Sequence, residues 1–257
     1  MTQAERRHYL IRALAEERGT AVPLPTGADE QRRLLRALLN LRPPLPADAT
    51  FLRVQDAYLR EETRRHGVTD VGSLAPVRPG ICLWQGDITT LRCDAIVNAA
   101  NSALLGCFCP NHSCIDNAIH TYAGVQLRLA CADLMRAQEH DEPTGGAKIT
   151  PAYNLPCRYV LHTVGPIVAG RLTGEHRRAL EACYLSCLTL AQEHGIRHIT
   201  FPCISTGEFH FPGEAAAQIA VRTVERYRAG NENAPEVIFN VFKEQDLFLY
   251  RRLLGCD

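Results

Sequence analysis

From about residue 78 onward, short apolar segments alternate with longer segments whose apolar residues recur at helical spacing. Ala95-Ile96-Val97 and Ile199-Thr200-Phe201 are short and rich in β-branched residues, whereas residues 180–191 place their apolar side chains on one helical face. Alternation of this kind is typical of a sheet, largely parallel, whose strands are joined by crossover helices. We therefore expect an α/β fold with helices on both faces of a central sheet.

The first part of the chain shows a different pattern, because helical segments follow one another without strands between them. Thr2 and Glu5 have the spacing of a capping box at the start of the first helix. The third predicted helix ends at Gly67. We expect a helical extension at residues 1–77 and an α/β domain at residues 78–257.

Composition excludes several classes of partner. The 28 Lys and Arg residues balance the 28 Asp and Glu residues, so no net field attracts nucleic acid or an anionic membrane. No apolar run approaches the roughly 20 residues of a membrane span, and no apolar signal core follows residues 1–8. The 11 cysteines, an odd number, favour free thiols or metal ligands over a disulfide framework. We expect a cytoplasmic protein without nucleic-acid or membrane partners.

Polar loops follow three of the predicted strands. They are Gly86-Asp87-Ile88-Thr89, Asn98-Ala99-Ala100-Asn101 and Ser205-Thr206-Gly207-Glu208-Phe209. Ligands of parallel sheets bind at the carboxyl ends of the strands, and a loop of Ser, Thr and Gly can present backbone N–H groups to phosphate. Each loop alone is equally consistent with a plain turn. Together they predict one cleft for an anionic, nucleotide-like ligand.

The second loop continues into a segment rich in cysteine and histidine, followed by a predicted helix from Ile115 to about residue 134. Thiolate and imidazole are the usual ligands of zinc. The spacing Cys107-x4-His112-x-Cys114 is too tight for a zinc finger but can close a site from a single loop. The alternative is a loop with surplus cysteines in front of a core helix.

Four segments resemble the motifs of the macrodomain family, which binds ADP-ribose: Gly86–Thr89, Asp94–Asn101, Tyr159–Pro166 and Phe201–Gly207. The resemblance covers about residues 78–257, with the motifs in family order. Most hydrolytic macrodomains have a glycine-rich loop after the Asn-Ala-Ala-Asn motif. Here Cys107–Cys114 replaces those glycines, while Asp116 persists. With the helical extension, this replacement resembles the zinc-dependent microbial macrodomains, which remove ADP-ribose from proteins.

The resemblance implies a macrodomain-like three-layer α/β/α sandwich with a central mixed, largely parallel sheet, preceded by an N-terminal helical extension. It implies a zinc-dependent protein-ADP-ribose hydrolase that removes mono-ADP-ribose from modified side chains, with an O-linked, acidic acceptor. Such proteins are often encoded beside a sirtuin-type ADP-ribosyltransferase and a lipoylated carrier protein, so a modified carrier is an expected partner. The alternatives are a non-catalytic ADP-ribose-binding module and an O-acetyl-ADP-ribose deacetylase.

By the same resemblance, Asp87 accepts a hydrogen bond from the adenine amino group, with the Ile88 backbone beside it. Asn101 holds the distal ribose, and Asp116 lies near its anomeric carbon as a general base or as a stabiliser of positive charge. The residues that bind the diphosphate and the distal ribose form the third loop, namely Ser205, Thr206, Gly207, Glu208 and Phe209.

The resemblance also makes Cys107, His112 and Cys114 the ligands of one Zn²⁺ per chain. Three protein ligands leave the fourth position of a tetrahedral ion open for water or a ribose oxygen, as in catalytic sites. Cys109 is expected to be a bystander. If Cys109 also bound the ion, four protein ligands would close the site, and a structural metal would be the better interpretation.

Overall fold

The computed structural model of the protein describes residues 1–256. Its α-helices are α1 (Gln3–Glu17), α2 (Ala28–Leu41), α3 (Ala49–His66), α4 (Ile115–Ala123), α5 (Val125–Gln138), α6 (Gly174–Glu193), α7 (Gly213–Ala229) and α8 (Glu244–Leu254). Its strands are β1 (Thr69–Asp70), β2 (Ile81–Gln85), β3 (Leu91–Arg92), β4 (Ala95–Ala100), β5 (Ala147–Pro151), β6 (Tyr159–Val164), β7 (His198–Phe201) and β8 (Glu236–Val241).

The main sheet has the order β2-β8-β7-β4-β6-β5 and is parallel except for β5, which pairs antiparallel with β6. β4 is a central strand, since Ile96 is in register with Val160 of β6 and Thr200 of β7. The predicted α/β fold with a mixed, largely parallel sheet is therefore confirmed.

Both faces of the sheet are buried under helices. Ile96 and Val97 are adjacent in β4 and point to opposite faces, as successive strand residues must. Ile96 belongs to a cluster that includes Leu127 of α5, whereas Val97 packs with residues of α6 and α7 such as Leu188 and Val224. The continuous apolar character of β4 follows from this burial on both sides.

Helices α1 to α3 form a layer with its own apolar cluster, which includes Leu10, Leu35 and Phe51. The predicted capping box is present: the Glu5 N–H donates to Thr2 Oγ1 at 3.2 Å, and the Thr2 N–H donates to the Glu5 carboxylate at 2.7 Å. The strand pair β1–β3 ties the segment after α3 to the α/β part. The boundary between residues 77 and 78 stays a prediction.

The predicted helix after the Cys/His loop is two helices in the structure, α4 and α5, which meet at Gly124. Gly124 has φ 97°, and a Cβ there would lie 2.7 Å from Gln55 Nε2 and from Gln126 Oε1. The fully buried Gln55 of α3 accepts a hydrogen bond from the Val125 N–H at 2.9 Å. A contact from α3 thus fixes the start of α5, which local periodicity does not reveal.

Among residues 1–256, no helix is long and apolar enough to cross a bilayer. The expected cytoplasmic location remains a prediction.

The parallel strands bring the three polar loops to one edge of the sheet. Asp87 follows β2, Asn101 follows β4, and Ser205 follows β7. β2, β4 and β7 all run in the same direction within the sheet, so their carboxyl ends lie on the same side. The fold therefore brings the three predicted loops together, and their role in binding a nucleotide-like ligand stays a prediction.

Candidate functional site

At the end of β4, two carboxamides hold the Asp116 carboxylate. Asn98 Nδ2 donates to Asp116 Oδ1 at 2.8 Å, and Asn101 Nδ2 lies 3.4 Å from Oδ2 and 3.1 Å from the Gly106 carbonyl oxygen. Burial raises the pKa of Asp116 to about 6, while the Asn98 hydrogen bond and the Arg128 charge act in the opposite direction. A carboxyl group in this range can accept or release a proton near neutral pH.

Two buried histidines lie behind this carboxylate. His120 Nε2 is 3.5 Å from Asp116 Oδ1, and burial lowers the pKa of His120 well below its ordinary value. His162 Nδ1 is 3.2 Å from Asn98 Nδ2, and its Nε2 is 3.0 Å from Thr150 Oγ1. Burial lowers the pKa of His162 to about 4. Both imidazoles are therefore neutral near pH 7, and His162 orients the amide that binds Asp116.

The Cys/His loop brings three potential metal ligands together. Cys107 Sγ is 3.7 Å from His112 Nδ1, and the ligand atoms of Cys107, His112 and Cys114 all lie within 4.8 Å of one another. Thiolate and imidazole ligands of one tetrahedral zinc ion are separated by about 3.6 Å, given the usual bond lengths. The donor set therefore fits a zinc ion. Cys109 is exposed and lies outside this group.

Local conformation explains how such a short loop folds back on itself. Gly106 has φ 77°, and a Cβ there would lie 2.7 Å from the ring of His120, so this position requires glycine. Asn111 has φ 56°, a conformation that asparagine tolerates well. Cys114 is the N-cap of α4, and its Sγ accepts a hydrogen bond from the Asn117 N–H at 3.4 Å. Burial raises the pKa of the Cys114 thiol to about 12, while the hydrogen bond from the Asn117 N–H acts in the opposite direction.

A second cluster of potential ligands consists of His120, Cys131 and His162. All three side chains are buried, and Asn98 and Thr150 already occupy both nitrogens of His162. This cluster belongs to the packed interior beneath Asp116.

The third loop has the geometry of an anion-binding turn. Ser205 has φ 65° and is buried, and its Oγ has no hydrogen-bond partner among the described residues. A Cβ on Gly165 would lie 2.0 Å from that Oγ, so the motif around β6 needs glycine here. Within residues 1–256, the N–H groups of Gly207, Glu208 and Phe209 donate to no backbone carbonyl. These amides are available to an anion such as a diphosphate.

Thr206 and Glu208 connect this loop to its surroundings. Thr206 Oγ1 donates to the Cys203 carbonyl oxygen at 3.0 Å, which stabilises the turn. Glu208 Oε1 lies 3.6 Å from His112 Nε2. The third loop and the Cys/His loop are therefore neighbours in space.

Asp87 stabilises a turn at the end of β2. Its Oδ1 accepts hydrogen bonds from the Thr89 N–H at 2.9 Å and from Thr89 Oγ1 at 2.7 Å. Its Oδ2 accepts no hydrogen bond from any described residue. The neighbouring Ile88 side chain is 4% exposed, so only its backbone can contribute to a binding surface. The turn therefore leaves one carboxylate oxygen free to bind a ligand.

Several residues that shape the site do not stand out in the sequence. Asn98 belongs to a recognised motif, yet only the structure shows that its amide binds Asp116. The other side chains come from helices whose polar positions look like ordinary surface or cap residues: Arg36, Asn40, Asn117 and Arg128.

Comparison with known proteins identifies the family to which the chain belongs. Residues 97–220 match the Macro domain family. A protein from Treponema medium named protein-ADP-ribose hydrolase is 54% identical over 261 residues, spanning 99% of this chain and 100% of the relative. A protein of the same name from Staphylococcus aureus strain MSSA476 is 49% identical over 256 residues, spanning 98% of this chain and 96% of the relative.

Among solved structures, the Trypanosoma brucei macrodomain in complex with ADP-ribose is 31% identical with a TM-score of 0.67. The similarity covers 85% of this chain and 95% of that one. The names of the two bacterial relatives are those of hydrolases, in agreement with the predicted enzyme class. On the strength of its motifs, its fold and these relatives, the chain belongs to the Macro domain family.

Proposed function

We propose that this chain is a zinc-dependent protein-ADP-ribose hydrolase that removes mono-ADP-ribose from modified protein side chains. One observation carries the proposal: a buried carboxylate and a convergent set of metal ligands flank the start of a single helix. Asp116 is held by Asn98 and Asn101, and the residues just before it, Cys107–Cys114, supply the three ligand atoms.

Cys107 Sγ, His112 Nδ1 and Cys114 Sγ are the atoms that would hold zinc. When bound, zinc would act as a Lewis acid on an oxygen of water or of the ribose. Two thiolates neutralise the formal charge of the ion, so orientation of the ribose contributes as much as activation. The exposed Cys109 is not a ligand in this scheme.

The remaining residues of the cleft bind the ADP-ribose group. The unpaired amides of Gly207, Glu208 and Phe209 donate to the diphosphate. Asp87 Oδ2 accepts from the adenine amino group, beside the Ile88 backbone. Ser205 and Thr206 shape the turn, and Phe209 lies against the distal ribose.

Asp116 and Asn101 act at the distal ribose. Asn101 Nδ2 bonds to Gly106 and approaches Asp116, so a ribose held by Asn101 lies near that carboxylate. With a pKa of about 6, Asp116 is mostly ionised at neutral pH. It can accept a proton from the attacking water or stabilise positive charge at the anomeric carbon.

A binding module that reads ADP-ribose without cleaving it is the first alternative. Recognition needs neither a buried carboxylate nor a set of metal ligands beside the ribose, so Asp116 and residues 107–114 favour hydrolysis. The enzyme names of the bacterial relatives support the same choice. An O-acetyl-ADP-ribose deacetylase would use the same groups, and substrate comparison separates the two activities. We propose an O-linked acidic acceptor, on a carrier protein such as a lipoylated domain modified by a sirtuin-type transferase.

Single-turnover release of ADP-ribose from a carrier protein modified on an acidic side chain tests the proposal. Serine-linked and arginine-linked carriers and O-acetyl-ADP-ribose are compared in parallel, with the zinc content of the protein measured by atomic absorption. We expect about one zinc per chain and fastest release from the acidic acceptor. Tight binding of ADP-ribose without release from any protein substrate would leave the binding module as the better assignment.

A further inference from the structure

Helix α2 of the N-terminal layer lies against the Cys/His loop, and two of its side chains reach the loop backbone. Arg36 Nη2 donates to the carbonyl oxygen of His112 at 3.0 Å. Asn40 Oδ1 accepts from the N–H of Asn111 at 2.9 Å. These contacts fix the backbone of a potential metal ligand and of the residue before it.

Arg36 also acts on the loop through Asn117. Its Nε and Nη2 donate to Asn117 Oδ1 at 3.1 and 2.8 Å. Because its oxygen faces Arg36, the Asn117 side chain directs Nδ2 toward the loop. Asn117 Nδ2 donates to the Cys109 carbonyl oxygen at 3.0 Å and lies 3.5 Å from the Cys107 carbonyl oxygen. The Arg36 guanidinium group therefore binds the loop directly at His112 and, through Asn117, at Cys109.

Asn40 bridges the loop and the helix that follows it. The side chain is 1% exposed, and its Nδ2 donates to Thr121 Oγ1 of α4 at 2.9 Å. Its Oδ1 binds the N–H of Asn111 in the loop. One amide thus fixes the distance between the turn of the loop and α4, which starts beside Cys114.

Arg128 of α5 holds the end of α2 in this position. Its Nη1 donates to the carbonyl oxygens of Leu39 and Asn40 at 3.2 and 3.0 Å, where a helix C-terminus favours positive charge. Its Nε donates to the Leu105 carbonyl oxygen at 2.7 Å, and the guanidinium carbon is 4.3 Å from the centre of the Phe108 ring. Arg128 therefore connects the end of α2 to Leu105, just before the loop, and to Phe108 within it.

The loop itself provides little internal rigidity. Within residues 107–113 of the described chain, one backbone–backbone hydrogen bond forms, from the His112 N–H to the Cys109 carbonyl oxygen at 3.3 Å. Ligands of a zinc ion must converge within a few tenths of an ångström. Side chains outside the loop must therefore supply most of the constraint, and Arg36 and Asn40 supply it from the extension.

We propose that Arg36 and Asn40 are positioning residues that hold the Cys107–Cys114 loop in its metal-binding conformation. Helix α2 of the N-terminal layer then contributes to zinc binding, in addition to packing on the α/β part of the chain. This inference rests on the proposed function, because it assigns a task to α2 only if the loop binds zinc. Loss of either residue weakens zinc binding, with little effect on the adenine and diphosphate contacts at Asp87 and residues 205–209.

The test compares Arg36→Ala, Arg36→Lys and Asn40→Ala with wild type in the whole 257-residue chain. Arg33→Ala is the matched control, since Arg33 is an exposed arginine of the same helix whose side chain makes no hydrogen bond to another described residue. Zinc affinity is measured by competition with a chromophoric chelator, ADP-ribose affinity by calorimetry, and stability by urea unfolding of the zinc-free protein.

We expect zinc affinity to fall on the order of 10- to 100-fold in Arg36→Ala and Asn40→Ala, the usual cost of losing a group that orients a ligand. Arg36→Lys should restore only part of the lost zinc affinity, because an ammonium group cannot reproduce the forked contacts of the guanidinium. Arg33→Ala should bind zinc like wild type. Arg36 is only partly buried, so its variants provide the test even if Asn40→Ala does not fold.

Two outcomes would overturn the inference in distinguishable ways. If wild type and the Arg36 variants bind zinc equally well while the variants unfold more easily, the contacts serve packing alone, and the proposed function is unaffected. If wild type itself binds no zinc, the zinc-dependent function fails, and the role of Arg36 and Asn40 fails with it.

Discussion

His112 Nε2 lies 3.6 Å from Glu208 Oε1, and this contact joins the Cys/His loop to the third loop of the cleft. The other ring nitrogen, Nδ1, faces Cys107 Sγ at 3.7 Å. A carboxylate near one ring nitrogen of a metal-binding histidine holds the proton there and leaves the other nitrogen free for the ion. We therefore propose that Glu208 orients His112, in addition to the diphosphate contact proposed for its loop.

Replacing Glu208 should weaken zinc binding. We expect Glu208→Ala to lower zinc affinity by about 10-fold, at the low end for such partners, because the Glu208 side chain is 67% exposed and solvent screens the contact. Glu208→Gln keeps an acceptor for the Nε2–H and should lose less. Chelator competition measures both variants, and equal affinity in Glu208→Ala and wild type would show that the contact does not orient the ligand.

The identity of the metal ligands is tested by single substitutions. Purified protein should contain about one zinc per chain, and Cys107→Ser, His112→Ala or Cys114→Ser should each lose it, because two ligands hold the ion poorly. Cys109→Ser is the matched control in the same loop and should retain zinc, since Cys109 is exposed and outside the cluster. Loss of zinc from Cys109→Ser would instead indicate a closed, structural site.

Asp87 should contribute its charge to nucleotide binding. Asp87→Asn keeps an oxygen for the Thr89 N–H, so the turn is preserved while the charged acceptor is lost. We expect ADP-ribose affinity to fall by roughly 1.5–3 kcal/mol. Asp70→Asn is the control, because Asp70 caps a similar short turn through the Gly72 N–H at 2.9 Å.

Isothermal titration calorimetry measures these affinities. Unchanged affinity in Asp87→Asn, with reduced affinity in Asp87→Ala, would mean that only the turn at Asp87 matters for binding.

Catalysis should depend on Asp116 and Asn101 more than binding does. Asp116→Asn and Asn101→Ala should each slow single-turnover release of ADP-ribose by on the order of 10²-fold or more, as expected for a positioned acid or base and its support. Affinity for free ADP-ribose should fall much less, because most of the contacts proposed for it lie at Asp87 and in residues 205–209. Asp133→Asn on the exposed face of α5 is the control. If Asp116→Asn lowered the affinity for ADP-ribose as much as the rate of its release, Asp116 would act only in binding the substrate and not in catalysis.

The buried histidines should make stability depend on pH. The pKa of His162 is about 4 in the folded chain against an ordinary value of 6.5, so the unfolded chain binds more protons between these values. The contribution of neutral His162 to the free energy of unfolding is fully present above pH 6.5. It is lost as the pH falls toward 4, by at most about 1.4 kcal/mol per pH unit. His120 acts in the same direction, and Asp116 acts in the opposite one below about pH 6.

We therefore expect the Tm of the zinc-free protein, measured with chelator present, to fall between pH 6.5 and 4. His162→Gln should show a shallower dependence than wild type. His140→Gln, at an exposed position, should follow the wild-type curve. Identical curves for His162→Gln and wild type would contradict the assignment of a neutral, buried His162.

Local patterns in the sequence determined the α/β class, the helical layer and the loops at the strand ends. Periodicity and turn residues depend on neighbours within a few positions, so they predict elements such as the apolar β4 and the Thr2–Glu5 cap. The Cys107-x4-His112-x-Cys114 spacing left a metal site and a plain loop both open, and the family resemblance supplied the proposed ligand set. The chemical roles of these loops followed from motif resemblance and remain to be measured.

Tertiary structure decided which groups meet across long stretches of chain. Ile96 pairs with both Val160 and Thr200, and Gln55 of α3 supports the start of α5 after the break at Gly124. Arg36 reaches the His112 carbonyl oxygen only because α2 packs against α4. Such contacts depend on the summed packing of distant segments rather than on local propensity. The sequence by itself therefore predicted the loops at the strand ends, and packing alone decided which side chains hold these loops in place.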